Sequence, residues 1–166
     1  MKSKFLTISF CLFVLTTLVF PQDESEQLDA FGEINCEETL ARSDNLLNEL
    51  NNNPTAIAYI VFYEGKHAQY FYNKKTKKPD SKLVNPRRGE ARNKAQAIIL
   101  YLTKWRELPK EKLVLINGGY RESYGVEFWI ARKGVGQPKP TPTLEEKSIK
   151  FRKGKLPKFV DCTSLN

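Results

Sequence analysis

The sequence predicts an α+β fold in which two helices lie on one face of a mixed sheet. Three observations support this prediction. Two segments carry apolar residues at helical spacing, runs of β-branched and aromatic residues flank these segments, and the last run alternates apolar with polar residues. The resulting element order is β-α-β-α-β-β, which is typical of a sandwich of a helical layer on a sheet.

The first predicted helix covers residues 36–50 and follows a short strand at residues 31–34. Asn35 has the side chain of an N-cap, and Glu38 three residues later completes a pattern typical of a capping box. Pro54 indicates the end of the helix because proline cannot donate a backbone hydrogen bond.

The second predicted helix covers residues 88–105. Its apolar residues recur at the period of 3.6 residues and predict one buried face. That face comprises Ala91, Ala95, Ile98, Leu102 and Trp105.

The predicted strands are short. The run at residues 57–63 is almost entirely apolar, which indicates a central strand covered on both faces. Further strands are predicted at residues 67–72, 113–116 and 124–131, the last with one wetter face, and an edge strand at 147–155. Turns are predicted at residues 64–66 and 117–119, a loop at 73–82, and a polyproline-II spacer at 134–143.

Aromatic residues are dense in the predicted strands: Tyr59, Phe62, Tyr63, Tyr70, Phe71 and Tyr72. Such side chains either pack in the core of a sheet or stack on sugar rings. Core packing is the favoured interpretation because aromatic residues are common in strands.

The chain divides into three regions. Residues 1–22 have the basic start and apolar run of a signal peptide, residues 23–133 form the α+β domain, and residues 134–166 form a Pro/Lys-rich extension. The sequence therefore predicts a secreted or periplasmic protein of a bacterial envelope. The absence of a clean small-x-small cleavage site leaves an uncleaved membrane anchor as the alternative.

Two cysteines remain once Cys11 leaves with the signal peptide. Cys36 and Cys162 lie near opposite ends of the mature chain, and in an oxidising compartment they are expected to pair. The disulfide would close a loop of about 125 residues, for which the entropic model gives about 4–5 kcal/mol of stabilisation.

The chain is basic, with 27 Lys and Arg against 19 Asp and Glu. The two lysines of the signal peptide account for part of the excess, so the mature chain keeps a net charge of about +6. Outside the cytoplasm this charge argues against nucleic acid and favours an anionic cell-wall polymer or an envelope protein as partner. Ordinary solubility is the simpler interpretation.

The start of the second helix predicts an anion-binding site. Cations are concentrated where the helix macrodipole is already positive, which favours a bound anion. The predicted ligand-binding residues are Arg87, Arg88, Arg92, Lys94 and, from the glycine turn, Arg121. The alternative is a solvated helix end whose arginines pair with Glu90 and nearby acids.

Several segments resemble the OmpA-like peptidoglycan-binding domain. They are Tyr101-Leu102, Gly118-Gly119-Tyr120-Arg121-Glu122 and Val126-Glu127-Phe128-Trp129-Ile130, and the resemblance spans residues 31–131. It implies an OmpA-like fold and a module that grips carboxylates of peptidoglycan peptides. Residues 63–67 replace the family's binding Asp, and the binding Arg falls near Lys94, or near Arg88 or Arg92.

No catalytic motif is visible. His67 is the only histidine, and the sequence contains no G-x-S-x-G, P-loop, dinucleotide fingerprint or metal-ligand spacing. The prediction is a non-catalytic binding module without a cofactor or a metal. The alternatives are an envelope protein–protein interaction or inhibitor module and, last, a hydrolase of unrecognised type.

Overall fold

The computed structural model describes residues 24–156, which form an α+β fold with two α-helices and a five-stranded sheet. The strands are β1 (Glu26–Phe31), β2 (Ile57–Asn73), β3 (Lys78–Val84), β4 (Leu113–Ser123) and β5 (Gly125–Ala131). The helices are α1 (Cys36–Asn52) and α2 (Glu90–Leu100); a π-helical turn (Tyr101–Trp105) extends α2, and 3-10 turns lie at Lys110–Lys112 and Glu146–Ser148. The predicted order of elements is found with β3 added, but the first strand precedes its predicted position at residues 31–34 and shares only Phe31 with it.

Strand β2 is the centre of the sheet. Its first half pairs antiparallel with β5 on one side and parallel with β4 on the other, and β1 pairs with the far edge of β5. Its second half continues beyond this four-stranded part and pairs antiparallel with β3. The sheet is therefore mixed, as predicted.

The core lies between the two helices and one face of the sheet. Ala58, Ile60 and Phe62 of β2 stand directly opposite Ile130, Phe128 and Val126 of β5, so these alternate residues share one face. The helices cover that face with Leu46, Leu50, Ala91, Ala95 and Ile98. Burying each large apolar side chain contributes about 1.5–3 kcal/mol, which makes this face the main source of stability.

The start of α1 is confirmed. The Glu38 N–H donates to Asn35 Oδ1 at 2.8 Å, and α1 ends two residues before Pro54. The Glu38 side chain does not complete a capping box, since it accepts from Arg42 one turn further along the helix.

The end of the second helix differs from the prediction at Trp105. Ala91, Ala95, Ile98 and Leu102 are buried, whereas Trp105 is 53% exposed. Arg106 N donates to Tyr101 O, five residues back, so this turn is wider than an α-helical turn. The wider turn rotates Trp105 out of the face that a strict 3.6-residue period predicts.

Two predicted glycine turns are wrong. Gly65 lies inside β2 and Gly118 inside β4, and neither strand reverses there. A Cβ on Gly65 would lie 2.2 Å from the carbonyl carbon of Ser123, and one on Gly118 would lie 2.4 Å from a ring carbon of Tyr63. These glycines permit close approach within the sheet.

Three further predictions differ from the structure. Residues 73–82 are not a loop, because β2 and β3 form a hairpin there. Residues 147–155 do not form an edge strand; a 3-10 turn and irregular chain occupy them, and Leu144 makes one isolated bridge to Tyr120. The predicted wetter face of β5 is found only in part, since Trp129 is half-buried but Glu127 is buried.

The predicted signal peptide lies outside the described residues. Cys162 also lies outside them, so its disulfide with Cys36, the first residue of α1, stays a prediction. Within residues 24–156 there is no helix with the length and apolar character needed to cross a membrane.

Candidate functional site

The start of α2 is occupied by a carboxylate from the sheet. Gly89 is the N-cap residue, with φ of 81°, and provides no side-chain cap. The backbone N–H groups of Ala91 and Gly89 instead interact with the Glu64 carboxylate of β2. Burial raises the pKa of Glu64, and these two N–H groups oppose the rise. An internal acid thus occupies the position that the sequence assigned to a bound anion.

A second buried acid, Glu90, is contacted by residues from three other segments. Arg152 Nη2 donates to Glu90 Oε1 and Oε2 at 3.0 and 3.2 Å. His67 Nε2 lies 3.4 Å from Glu90 Oε1 and 3.2 Å from Arg152 Nη2. The Arg87 N–H donates to Glu90 Oε2 at 2.8 Å, and its guanidinium lies 3.7 Å from Oε1.

Both titratable groups of this cluster are perturbed. Burial raises the pKa of Glu90, but the hydrogen bond from the Arg87 N–H and the charge of Arg152 oppose burial, and the pKa lies below its ordinary value. Burial lowers the pKa of His67, and the positive charge of Lys94 adds to that effect. A neutral imidazole is therefore favoured, and its ring is covered by Arg152 rather than open to a substrate.

Arg88 and Lys94 also have acidic partners within the chain. Arg88 pairs with Glu146, and its guanidinium lies 4.4 Å from the centre of the Phe151 ring. Lys94 pairs with Glu33, and its ammonium lies 4.5 Å from the centre of the Tyr124 ring. Arg92 differs from the others, because it is exposed and has no ion pair among residues 24–156.

Arg121 lies on the sheet face opposite the helices. It donates to Glu127 Oε1 at 2.7 Å and to Thr141 Oγ1 at 2.6 Å, and its guanidinium lies 3.4 Å from the centre of the Tyr63 ring. The Thr141 N–H in turn donates to Tyr63 Oη at 3.2 Å. Arg121 thereby fastens the proline-rich segment onto the second face of the sheet.

The structure brings four of the five predicted cations to the start of α2 and places Arg121 on another surface. The start of α2 does lie beside β4, since Arg88 and Tyr120 both hydrogen-bond to Glu146. Binding of a ligand by these residues stays a prediction. Three of the four cations at α2 already have a carboxylate partner, as the alternative interpretation expects.

A second basic surface lies in residues 73–82, which the sequence predicts as a basic, proline-containing loop without a binding role. The β2–β3 hairpin carries five exposed lysines with no ion pair among the described residues: Lys74, Lys75, Lys77, Lys78 and Lys82. Tyr70 and Tyr72, for which the sequence favours core packing, are instead 69% and 62% exposed, and Leu83 on the same hairpin is 66% exposed. Asp80 is the only acid between Glu64 and Glu90, and this long stretch with a single acid is the sequence feature that indicates the basic surface.

Residues 24–156 contain no group of three or more His, Cys, Asp or Glu side chains suited to a metal ion. No protein-family model matches the chain, and no curated protein or solved structure is similar to it.

Proposed function

We propose that this protein is an exported, non-catalytic module that binds an anionic polymer of the cell envelope, such as peptidoglycan. The supporting observation is the cluster of five exposed lysines on the β2–β3 hairpin, named here the hairpin lysines. They are Lys74, Lys75, Lys77, Lys78 and Lys82. A polymer carrying repeated carboxylates or phosphates would contact several of them at once.

Electrostatics distinguishes the hairpin lysines from the cations at α2. A cation with a close carboxylate partner contributes little net field, because the two charges largely cancel at a distance. The hairpin lysines lack such partners among residues 24–156, and Asp80, the one acid in the sequence of the hairpin, accepts from Asn73. Their attraction for a polyanion weakens with added salt, since the Debye length is about 8 Å at physiological ionic strength.

Cosedimentation with purified peptidoglycan tests the proposal. The variant Lys74→Gln/Lys75→Gln/Lys77→Gln should release most of the bound protein. Lys133→Gln/Lys139→Gln/Lys153→Gln is the matched control, because it removes three exposed lysines elsewhere and lowers the net charge equally. If both variants lose binding to peptidoglycan equally, net charge alone explains the effect. If both variants bind as well as the wild type, the hairpin is not the binding site.

The predicted α2 residues are tested in the same experiment. Arg88→Ala/Arg92→Ala removes one ion-paired and one unpaired cation. We expect a smaller loss than for the hairpin variant, because only Arg92 lacks an acidic partner in the described chain. A larger loss of binding than in the hairpin variant would indicate that the ligand binds at the start of α2.

The free edge of β4 favours a second function, that of an envelope protein–protein interaction or inhibitor module. Within the described chain, β2 pairs with one edge of β4, and no strand pairs with its other edge between Leu113 and Gly119. An open, apolar strand edge can accept a strand from a partner. A salt-insensitive complex with one envelope protein, abolished by Ile116→Lys and retained by the triple hairpin variant, would support this function.

A further inference from the structure

We infer that the hairpin binds the sugar rings of a glycan chain by stacking on Tyr70 and Tyr72. This inference rests on the proposed function and specifies the chemistry of its ligand: a polysaccharide that carries acidic groups. Tyr70, Tyr72 and Leu83 are named here the tyrosine face.

The register of the hairpin places the tyrosine face on one side. Tyr70 pairs with Ser81, Tyr72 with Pro79, and Ala68 with Leu83. Residues two apart in a strand, and residues directly opposite each other, share a face. The two phenol rings therefore project from the same side, about 7 Å apart along the strand.

The rings of Tyr70 and Tyr72 are uncovered because the residues opposite them on β3 are compact. Each tyrosine stands opposite a compact residue, Ser81 or Pro79, and neither is capped by another ring among the described residues. The aromatic residues of the first half of β2 differ, since Phe62 and Tyr63 are buried. Two aromatic rings held open on a short ribbon are unusual in a strand whose other half is buried, and they indicate a binding surface.

The hairpin is stabilised by contacts that do not involve the tyrosine face. The turn is fixed by Asn73 Oδ1, which accepts from the N–H groups of Lys75 and Thr76, and by Asn73 Nδ2, which donates to Asp80 at 3.1 Å. On the opposite side, the Lys82 ammonium lies 5.8 Å from the centre of the Phe71 ring. The rings are thus presented by a preformed ribbon, which lowers the entropic cost of binding.

The chemistry of this surface matches an acidic glycan. The C–H face of a pyranose ring carries slight positive charge and packs on the negative face of an aromatic ring. The exposed phenol hydroxyls donate to and accept from sugar hydroxyls. Lys74, Lys75 and Lys77 of the turn follow Tyr72 closely and would neutralise carboxylates or phosphates on the same glycan, whereas Lys78 and Lys82 lie on the opposite side of the hairpin.

A lipid surface fits the hairpin less well. Insertion into a bilayer interface requires an apolar tip, with cations set back towards the headgroups. Here the turn itself carries Lys74, Lys75 and Lys77, and the apolar side chains lie behind it. The arrangement would bring charge, rather than apolar surface, first to a membrane.

Isothermal titration with three probes tests the inference: a soluble polyuronate, a polyglutamate of matched charge, and vesicles of anionic phospholipid. Tyr70→Ser/Tyr72→Ser should lower polyuronate affinity about tenfold or more and leave polyglutamate binding unchanged. Trp105→Ser is the control, because it removes an exposed aromatic ring outside the hairpin. Tyr70→Phe/Tyr72→Phe should retain most polyuronate affinity, because it keeps the rings.

The outcomes separate the two proposals. Unchanged polyuronate affinity in the serine variant, with loss in Lys74→Gln/Lys75→Gln/Lys77→Gln, would overturn stacking and leave the proposed function standing. Failure of the wild type to bind polyuronate or peptidoglycan would reject both. Tyrosine-dependent binding to vesicles but not to polyuronate would assign the surface to a membrane and overturn the inference.

Discussion

Arg152 Nη2 lies 3.0 Å from Glu90 Oε1, and this ion pair joins the segment after β5 to the first residue of α2. The segment is also held by a backbone bond from Arg152 N to Pro86 O at 2.9 Å. A chain region that the sequence treats as an extension therefore contributes a buried charge to the domain.

Loss of the Arg152 guanidinium should destabilise the protein. Arg152→Met leaves Glu90 buried with fewer donors, so the free energy of unfolding should fall by about 2 kcal/mol. Urea denaturation measures the change. Lys153→Met removes an exposed neighbouring cation and should be nearly neutral; equal loss in the two variants would contradict a specific role for Arg152.

The buried His67 should make stability fall with acidification. Its pKa is lowered by burial and by Lys94 and Arg152, against the opposing charges of Glu90 and Glu33. The unfolded chain then binds a proton more readily than the folded one, so stability is lost as pH falls below about 6.5.

The variant His67→Gln keeps a hydrogen-bond acceptor for Arg152 and removes the only imidazole in the chain. Its melting temperature should vary less than that of the wild type between pH 7 and 5. Identical profiles of melting temperature against pH for the two proteins would show that His67 has the same pKa in the folded and the unfolded chain. The depressed pKa of Glu90 adds a further loss of stability at lower pH, in wild type and variant alike.

Glu64 should have the opposite pH dependence. Its pKa is raised by burial, and its Oε2 has no hydrogen-bond partner. The ionised form is therefore unfavourable in the folded state, and this penalty is present above the folded pKa and disappears as pH falls below the ordinary carboxyl value.

Glu64→Gln should accordingly be more stable than the wild type at pH 7, with the difference vanishing near pH 4. Thermal melts across that range measure it. Glu122→Gln, an exposed carboxylate, should show no such trend. A destabilised Glu64→Gln protein at pH 7 would indicate that the negative charge at the start of α2 outweighs its burial.

Gly65 should tolerate no side chain. A Cβ there would lie 2.2 Å from the backbone of Ser123, and backbone cannot move aside as a flexible side chain does. Gly65→Ala should lower the free energy of unfolding by about 3 kcal/mol. Gly136→Ala is the control, because no atom lies within 4 Å of its Cβ; comparable stability of the two variants would refute the close approach.

The predicted disulfide is tested by peptide mapping, without reduction, of the protein produced in an oxidising compartment. We expect a cross-linked peptide pair containing Cys36 and Cys162. Alkylation of both thiols before reduction would contradict the pairing.

Local pattern was sufficient for the two helices, for the buried strands and for most of the helical face of the core. Asn35 caps α1 because its side chain reaches only three residues along the chain, and apolar periodicity placed Ala91, Ala95 and Ile98 correctly because helix geometry is local. The same locality explains the errors. Gly65 resembles a turn glycine until the end of β4 is packed beside it, and Trp105 belongs to the buried face until the π-helical turn changes the period.

The sequence by itself determined two helices, a mixed sheet and an unusual excess of cations. Only the tertiary structure decided which of those cations keep an unpaired charge, because their carboxylate partners lie far away in the chain: Glu146 is 58 residues from Arg88, and Glu33 is 61 residues from Lys94. It likewise decided which aromatic residues are exposed, because β2 continues past the helices that cover its first half. Charge neutralisation and burial depend on which distant segments meet, and no pattern within a short window contains that information.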